Sequence, residues 1–100
     1  MIESEKLLER KLADKVKAKG GWALKLPATF VDGIPDRLVL CPDGTVEFVE
    51  MKTNKEKPRK LQRAIHKKLR KMNFSVHVID TTEGINDFIR RATARIPGLR

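Results

Sequence analysis

Two short apolar segments on either side of a tight turn constrain the fold of this chain more than any other feature. Residues 37–41 and 45–52 have the length and composition of β-strands, and Pro42-Asp43-Gly44 between them is a strong hairpin signal. A turn this short pairs two strands antiparallel. The start of the first strand is therefore expected beside the end of the second.

Helical periodicity occurs on both sides of the hairpin. Leu8, Leu12 and Val16 recur every four residues before it, and Gly20-Gly21 ends that pattern. An apolar stripe after the hairpin indicates a second helix, and its members are Leu61, Ile65, Leu69 and Met72. The full set of predicted elements is a helix at 3–19, strands at 22–26, 37–41 and 45–52, a helix at 59–72, a strand at 75–79 and a helix at about 83–95.

The order of these elements, α-β-β-β-α-β-α, predicts an α/β fold with a mixed central sheet flanked by helices. Because a helix separates strand 75–79 from the hairpin, this strand is expected to lie parallel to a hairpin strand. One hundred residues suit a single domain, 1–100, built around one modest core.

The charge balance indicates what kind of partner the chain meets. Twenty-two Lys and Arg against thirteen Asp and Glu give a net charge of +9, which favours nucleic acid first and an acidic membrane surface second. An ordinary solvated surface is the alternative. No apolar run approaches the roughly 20 residues of a membrane span, and residues 1–11 have no signal-peptide core. A single cysteine, Cys41, cannot form an internal disulfide, so the chain is expected to be a cytoplasmic, intracellular protein.

Charged residues stand where the apolar faces of the hairpin strands end. Strand alternation puts Glu50 and Lys52 on the same face as Val46 and Phe48. By the same count Asp36 shares a face with the apolar residues of the first strand, and antiparallel pairing brings it near Glu50. A cross-strand ion pair at a sheet edge is the plain interpretation of this arrangement.

Two carboxylates held together repel unless a cation lies between them, and hard oxygen ligands select Mg²⁺ or Mn²⁺. Such an ion polarises a phosphate and lowers the pKa of its bound water. Lys52 would then orient that water or stabilise charge on the phosphate in the transition state. The cluster of Asp36, Glu50 and Lys52 therefore predicts phosphodiester hydrolysis.

Further polar residues lie on the apolar faces of the two helices that flank the hairpin. Glu5 and Glu9 both fall within the buried stripe of the first helix, so either acid could join the site, directly or through water. Pairing of Glu9 with Lys6 or Lys17 is the alternative. Gln62 edges onto the apolar face of helix 59–72, either as a ligand of the site or as an ordinary amide.

A dense positive stretch surrounds Gln62 and is suited to phosphate contacts. Its members are Lys55, Lys57, Arg59, Lys60, Arg63, Lys67 and Lys68. His66 and His77 have no partner at metal-ligand spacing and are interpreted as structural or DNA-proximal. Trp22 is expected in the core, and the arginines of the last helix on a solvated face.

Gly33-Ile34-Pro35-Asp36, a 13-residue gap, Glu50-Met51-Lys52 and a downstream Gln62 together resemble the PD-(D/E)xK nuclease superfamily, and more narrowly stand-alone phage and bacterial VRR-NUC domains. The segment from Glu9 to Gly20-Gly21 also resembles the opening of archaeal Holliday-junction resolvases. The spacing of their catalytic Glu matches Glu9, which places Glu9 above Glu5. Lys60 departs from the pattern, because a small polar residue is expected there.

The resemblance implies a restriction-endonuclease-like α-β-β-β-α-β core and a metal-dependent endonuclease acting on DNA. It implies Mg²⁺ or Mn²⁺ bound by Asp36, Glu50 and the carbonyl of Met51, with Glu9 in support and Lys52 acting on the water or the developing charge. It favours branched DNA such as Holliday junctions as substrate. Two symmetric cuts in a junction call for a homodimer.

Two rival functions belong to other classes. A catalytically inactive nucleic-acid-binding module with the same fold would bind DNA with a steep salt dependence and cut nothing when Mn²⁺ is added. A structural basic protein of a ribonucleoprotein would need no acid cluster.

Overall fold

A computed structural model of the chain describes residues 4–27, 29–53 and 57–95. Its elements are α1 (Glu5–Ala18), β1 (Trp22–Lys25), β2 (Arg37–Leu40), β3 (Val46–Met51), α2 (Lys60–Lys71), β4 (Ser75–Ile79) and α3 (Thr82–Ala94). The predicted order of helices and strands is confirmed, and no bound differs by more than two residues. Ser4 caps α1 by accepting a hydrogen bond from the backbone N–H of Leu7 at 3.1 Å.

The four strands form one sheet in the order β1-β2-β3-β4. β2 pairs antiparallel with both β1 and β3, while β4 lies parallel to β3, which confirms the mixed sheet. The turn between β2 and β3 is closed by a hydrogen bond of 2.9 Å from the N–H of Gly44 to the carbonyl of Cys41. Gly44 has φ +87°, a conformation that residues with a Cβ rarely adopt, so glycine fixes this turn.

One face of the sheet carries the main hydrophobic core. Val39, Val49 and Met51 point to this face and are at most 2% exposed. They pack in one cluster with residues of α1 and α3, including Leu12 and Phe88. Burial of these apolar side chains against two helices is the main source of the fold's stability.

The opposite face of the sheet is less deeply buried than the sequence indicates. Phe48, on the face predicted to be the hydrophobic one, is half-buried, and its ring contacts Phe74 edge-on at a centroid distance of 5.7 Å. α2 lies against this face and buries Gln62, His66 and Leu69. The predicted stripe along α2 is therefore wrong in part: Leu69 is buried, but Leu61 is 45% and Met72 52% exposed.

Trp22 does not lie in the core. It begins the edge strand β1, pairs in register with Leu40, and is 64% exposed. The expectation of a core Trp is wrong because the helices that bury the sheet leave this corner uncovered among the described residues.

A buried carboxylate on the core face of β3 ties the ends of the hairpin and of α3 together. Glu47 is 6% exposed and contacts His77 Nε2 at 2.9 Å and the Arg95 guanidinium at 2.9 Å. Arg95 also donates to Asp43 in the hairpin turn at 3.2 Å. Burial raises the pKa of Glu47, but the hydrogen bonds from His77 and Arg95 outweigh this and lower the pKa below its ordinary value.

We expect Arg95→Ala to lower the free energy of unfolding by about 1–2 kcal/mol, because it leaves one oxygen of a buried carboxylate without its charged partner. Urea denaturation at pH 7 measures this change. Arg91→Ala, at an exposed position on α3, removes the same charge and should cost under about 0.5 kcal/mol. Equal costs for the two variants would show that the contact to Glu47 contributes nothing specific.

Candidate active site

The start of β2 and the end of β3 lie side by side, as antiparallel pairing predicts. Arg37 pairs in register with Val49. Asp36, which precedes Arg37, therefore lies opposite Glu50, which follows Val49. Asp36 Oδ2 accepts a hydrogen bond of 2.8 Å from the backbone N–H of Met51. The carboxylate of Asp36 is thereby held beside Glu50, which confirms the predicted proximity of the two acids.

Glu50 is the most deeply buried acid of the site, with 1% of its surface exposed. Its Oε2 accepts a hydrogen bond from Gln62 Nε2 at 3.3 Å and lies 3.7 Å from Lys52 Nζ. Its Oε1 has no hydrogen-bond partner within the described part of the chain. Buried polar atoms normally have partners, so an unpartnered carboxylate oxygen marks a place where a ligand would be stabilised.

The electrostatics of the site disfavour two bare carboxylates. Burial raises the pKa of Glu50 to about 8, and the neighbouring carboxyl of Asp36 adds to the increase. The ammonium of Lys52 opposes the increase but does not cancel it. Ionised Glu50 is therefore destabilised in this environment, and a bound cation would relieve that destabilisation.

Gln62 joins the start of α2 to the site. Its Oε1 accepts a hydrogen bond of 2.8 Å from the backbone N–H of Arg59, while its Nε2 donates to Glu50. The backbone contact fixes which end of the amide faces the carboxylate. Of the two interpretations of Gln62, the geometry favours membership of the site over an ordinary helix-edge amide.

His66 is the site residue that the sequence interpretation missed. It is 2% exposed, and its Nε2 lies 3.8 Å from Glu50 Oε1. It follows Gln62 by four residues on α2, a spacing that places both side chains on one face of a helix. That spacing could have assigned His66 to the site once Gln62 was placed there.

The two candidate acids of α1 have different surroundings. Glu9 Oε1 lies 3.1 Å from Arg37 Nε and 3.4 Å from Lys25 Nζ, so it forms ion pairs on the core face of the sheet, away from Glu50. The α1 acid whose charge raises the pKa of Glu50 is Glu5. The ion pairs of Glu9 argue against Glu9 as the helix acid of the site.

The positive stretch at the start of α2 is open to contact. The members of this stretch that the structure describes are all exposed: Lys57, Arg59, Lys60, Arg63, Lys67 and Lys68. Arg63 also donates to the carbonyl of Pro58 at 2.7 Å. Lys55 falls outside the described residues. The described positive side chains lie on the helix that carries Gln62 and in the segment directly before it.

The donor set suits a hard divalent cation. No three His, Cys, Asp or Glu side chains of the described residues are grouped as a complete metal cage. Two carboxylates, one with an unpartnered oxygen, fit Mg²⁺ or Mn²⁺, which bind through one or two carboxylates and keep several waters. Asp36, Glu50 and the carbonyl of Met51 are the groups that would hold the ion.

Within the described residues, no helix is both long and apolar enough to cross a membrane.

Known proteins resemble this chain over most of its length, although no family model matches it. "Putative nuclease p44" from Acyrthosiphon pisum secondary endosymbiont phage 1 is 37% identical over 79 residues, which are 79% of this chain and 85% of that protein. A solved structure described as "VRR_NUC domain" matches with a TM-score of 0.80 and 30% identity, covering 86% of this chain and 94% of the other. Sequence and fold thus agree, and the chain belongs to the VRR-NUC nuclease family.

Proposed function

We propose that this protein is a Mg²⁺- or Mn²⁺-dependent endonuclease that hydrolyses phosphodiester bonds in DNA. The observation that carries the proposal is the contact of Asp36 with buried Glu50, whose Oε1 has no described partner and whose pKa is raised to about 8. Such a pair favours a divalent cation, and the positive residues on α2 favour a phosphate-bearing substrate.

Each residue of the site has a distinct part in the proposed reaction. Asp36 and Glu50 hold the cation with the carbonyl of Met51, and Gln62 fixes the orientation of the Glu50 carboxylate through Oε2. When bound, the ion supplies Lewis acidity toward the scissile phosphate and its attacking water. Lys52, whose side chain is 11% exposed, orients the water or stabilises negative charge on the phosphate. Glu5 replaces Glu9 as the supporting acid from α1.

Branched DNA, such as a Holliday junction, is the proposed substrate. The described elements are all accounted for by one sheet and its flanking helices, so base-specific recognition has no separate module among them. Symmetric cutting of a four-way junction requires two active sites related by a two-fold axis, and a homodimer supplies them. Light scattering during size-exclusion chromatography would measure twice the chain mass of 11.4 kDa for this assembly.

The substrate is tested with labelled four-way junction, flap and linear duplex DNA incubated with the protein and Mg²⁺ or Mn²⁺. The proposal expects paired, symmetric cuts in the junction and slower cutting of the duplex. Equal cutting of all three substrates would remove the preference for branched DNA and leave the nuclease. Binding of every substrate with no cutting in either metal would support an inactive binding module instead.

Phosphate contacts from α2 and from the segment directly before it should appear in the salt dependence of DNA binding. Each contact removed lowers the slope of log K against log salt by about 1, so Lys57→Ala with Lys60→Ala should lower it by about 2. Fluorescence anisotropy measures this in an Asp36→Asn background, which prevents cutting. Lys17→Ala with Lys19→Ala removes the same charge at exposed positions at the end of α1. An equal change in slope for both pairs would show that the effect is one of net charge.

A further inference from the structure

His66 occupies an unfavourable place unless it interacts with Glu50. Its side chain is 2% exposed, and its Nε2 has no hydrogen-bond partner among the described residues. A buried polar atom without a partner destabilises the fold, so an apolar residue would fill this space better if filling it were the only role of His66. The second buried atom without a described partner is Glu50 Oε1, 3.8 Å away.

α2 presents one polar side chain to each oxygen of the same carboxylate. Gln62 donates to Oε2 of Glu50 at 3.3 Å, and His66, one helical turn later, faces Oε1. The gap to Oε1 is about 0.8 Å longer than an N–H···O hydrogen bond, which is within reach of a small side-chain rotation. The imidazole can donate to Oε1 when Nε2 carries a proton.

Resting on the function proposed above, we propose that His66 is a positioning residue for Glu50. Its Nε2–H donates to one lone pair of Oε1 while Gln62 donates to Oε2, so that both oxygens of the carboxylate are restrained from α2 and the second lone pair of Oε1 stays available to the cation. Restrained carboxylate ligands bind a cation with less loss of conformational entropy, and groups that orient metal ligands typically change metal affinity by about 10–100-fold when removed.

The test compares His66→Leu, which removes the donor, with His66→Gln, which keeps an N–H donor on a flexible chain. Titration calorimetry measures the affinity for Mn²⁺ without DNA, and urea denaturation in EDTA measures stability. We expect His66→Leu to bind Mn²⁺ about 10–100-fold more weakly without a matching loss of stability, and His66→Gln to recover much of the affinity. A folded His66→Leu with wild-type Mn²⁺ affinity would overturn the proposal.

A measurement on the metal-free protein keeps the proposal testable if a variant does not fold. The ¹H and ¹⁵N resonances of the His66 Nε2–H are recorded in EDTA for the wild type and for Glu50→Gln. A protonated Nε2 whose resonances shift in Glu50→Gln supports the hydrogen bond. An unprotonated Nε2, or resonances that do not change, contradicts it.

These outcomes distinguish failure of the proposed role of His66 from failure of the proposed nuclease function. Wild-type protein that neither binds Mn²⁺ nor cuts DNA would overturn the proposed function, while the resonances still decide the contact between His66 and Glu50. Wild-type protein that cuts DNA beside a His66→Leu variant of unchanged Mn²⁺ affinity would overturn the role of His66 alone.

Discussion

Asp36→Asn is expected to reduce DNA cleavage by about 10³-fold or more, since a bound metal supplies several kcal/mol of transition-state stabilisation and each ~1.4 kcal/mol is a factor of ten in rate. Asn has the shape of Asp and keeps an oxygen that can accept the N–H of Met51, so the local fold should survive. What the substitution removes is one of the two negative charges beside the proposed cation.

The matched control is Asp32→Asn, which removes the same charge from an exposed position on the loop before β2. It should cut DNA at nearly the wild-type rate. Single-turnover rates at saturating Mn²⁺ compare the variants, and circular dichroism checks that both are folded. If Asp36→Asn kept more than a tenth of the wild-type rate, Asp36 would not be a ligand of the essential ion.

Glu50→Gln is expected to stabilise the metal-free protein at high pH while it abolishes cleavage. The pKa of Glu50 in the folded protein is about 8, above its ordinary value of 4.5. A raised pKa means that the folded state binds this proton more tightly than the unfolded state does. The stabilisation that this proton gives the folded wild type is therefore complete below pH 4.5 and is lost as pH rises through 8. The side chain of Gln stays neutral at every pH, so Glu50→Gln does not lose stability in this way as pH rises.

The advantage of Glu50→Gln over the wild type should consequently grow between pH 5 and pH 9, reaching roughly 1–3 kcal/mol after allowance for relaxation and water access. Urea denaturation in EDTA at several pH values measures the difference in the free energy of unfolding between the two proteins. The effects of titratable groups that both proteins share largely cancel in this difference. Mn²⁺ should then stabilise the wild type and leave Glu50→Gln unchanged. A difference in stability that did not vary with pH would mean that Glu50 is not held in a destabilising environment.

The hairpin and the acids at its open end could be predicted from the sequence because their signals are local. Pro42-Asp43-Gly44 fixes the turn, the turn fixes antiparallel pairing, and pairing brings Asp36 beside Glu50. Each step depends on residues close in sequence. The same holds for the parallel pairing of β4 with β3, which follows from the intervening helix.

What the sequence could not provide is how deeply each face is covered. Alternation assigns residues of β3 to two faces without saying which face two helices cover, so the buried acid Glu47 was missed. The buried side of α2 is likewise the side that faces Glu50, and it does not coincide with the apolar stripe read from the sequence. Gln62 and His66 are inside for that reason, while Leu61 is 45% exposed.

The choice between Glu5 and Glu9 shows a similar limit. Both acids fall within the apolar stripe of α1 by sequence, although Glu5 is exposed in the structure, and helical periodicity cannot separate residues that are one turn apart on the same face. Their partners on other elements separate them: Arg37 and Lys25 meet Glu9, whereas the charge of Glu5 acts on Glu50. These contacts join residues distant in the chain.

The central claim is that cleavage depends on a divalent cation held by Asp36 and Glu50. Its most direct test is a time course in which wild-type protein and end-labelled four-way junction are mixed in EDTA and excess Mn²⁺ is added midway. The account predicts no product before the addition and cut strands after it, with no cutting at either stage by Asp36→Asn. Product that accumulates at the same rate in EDTA would contradict it.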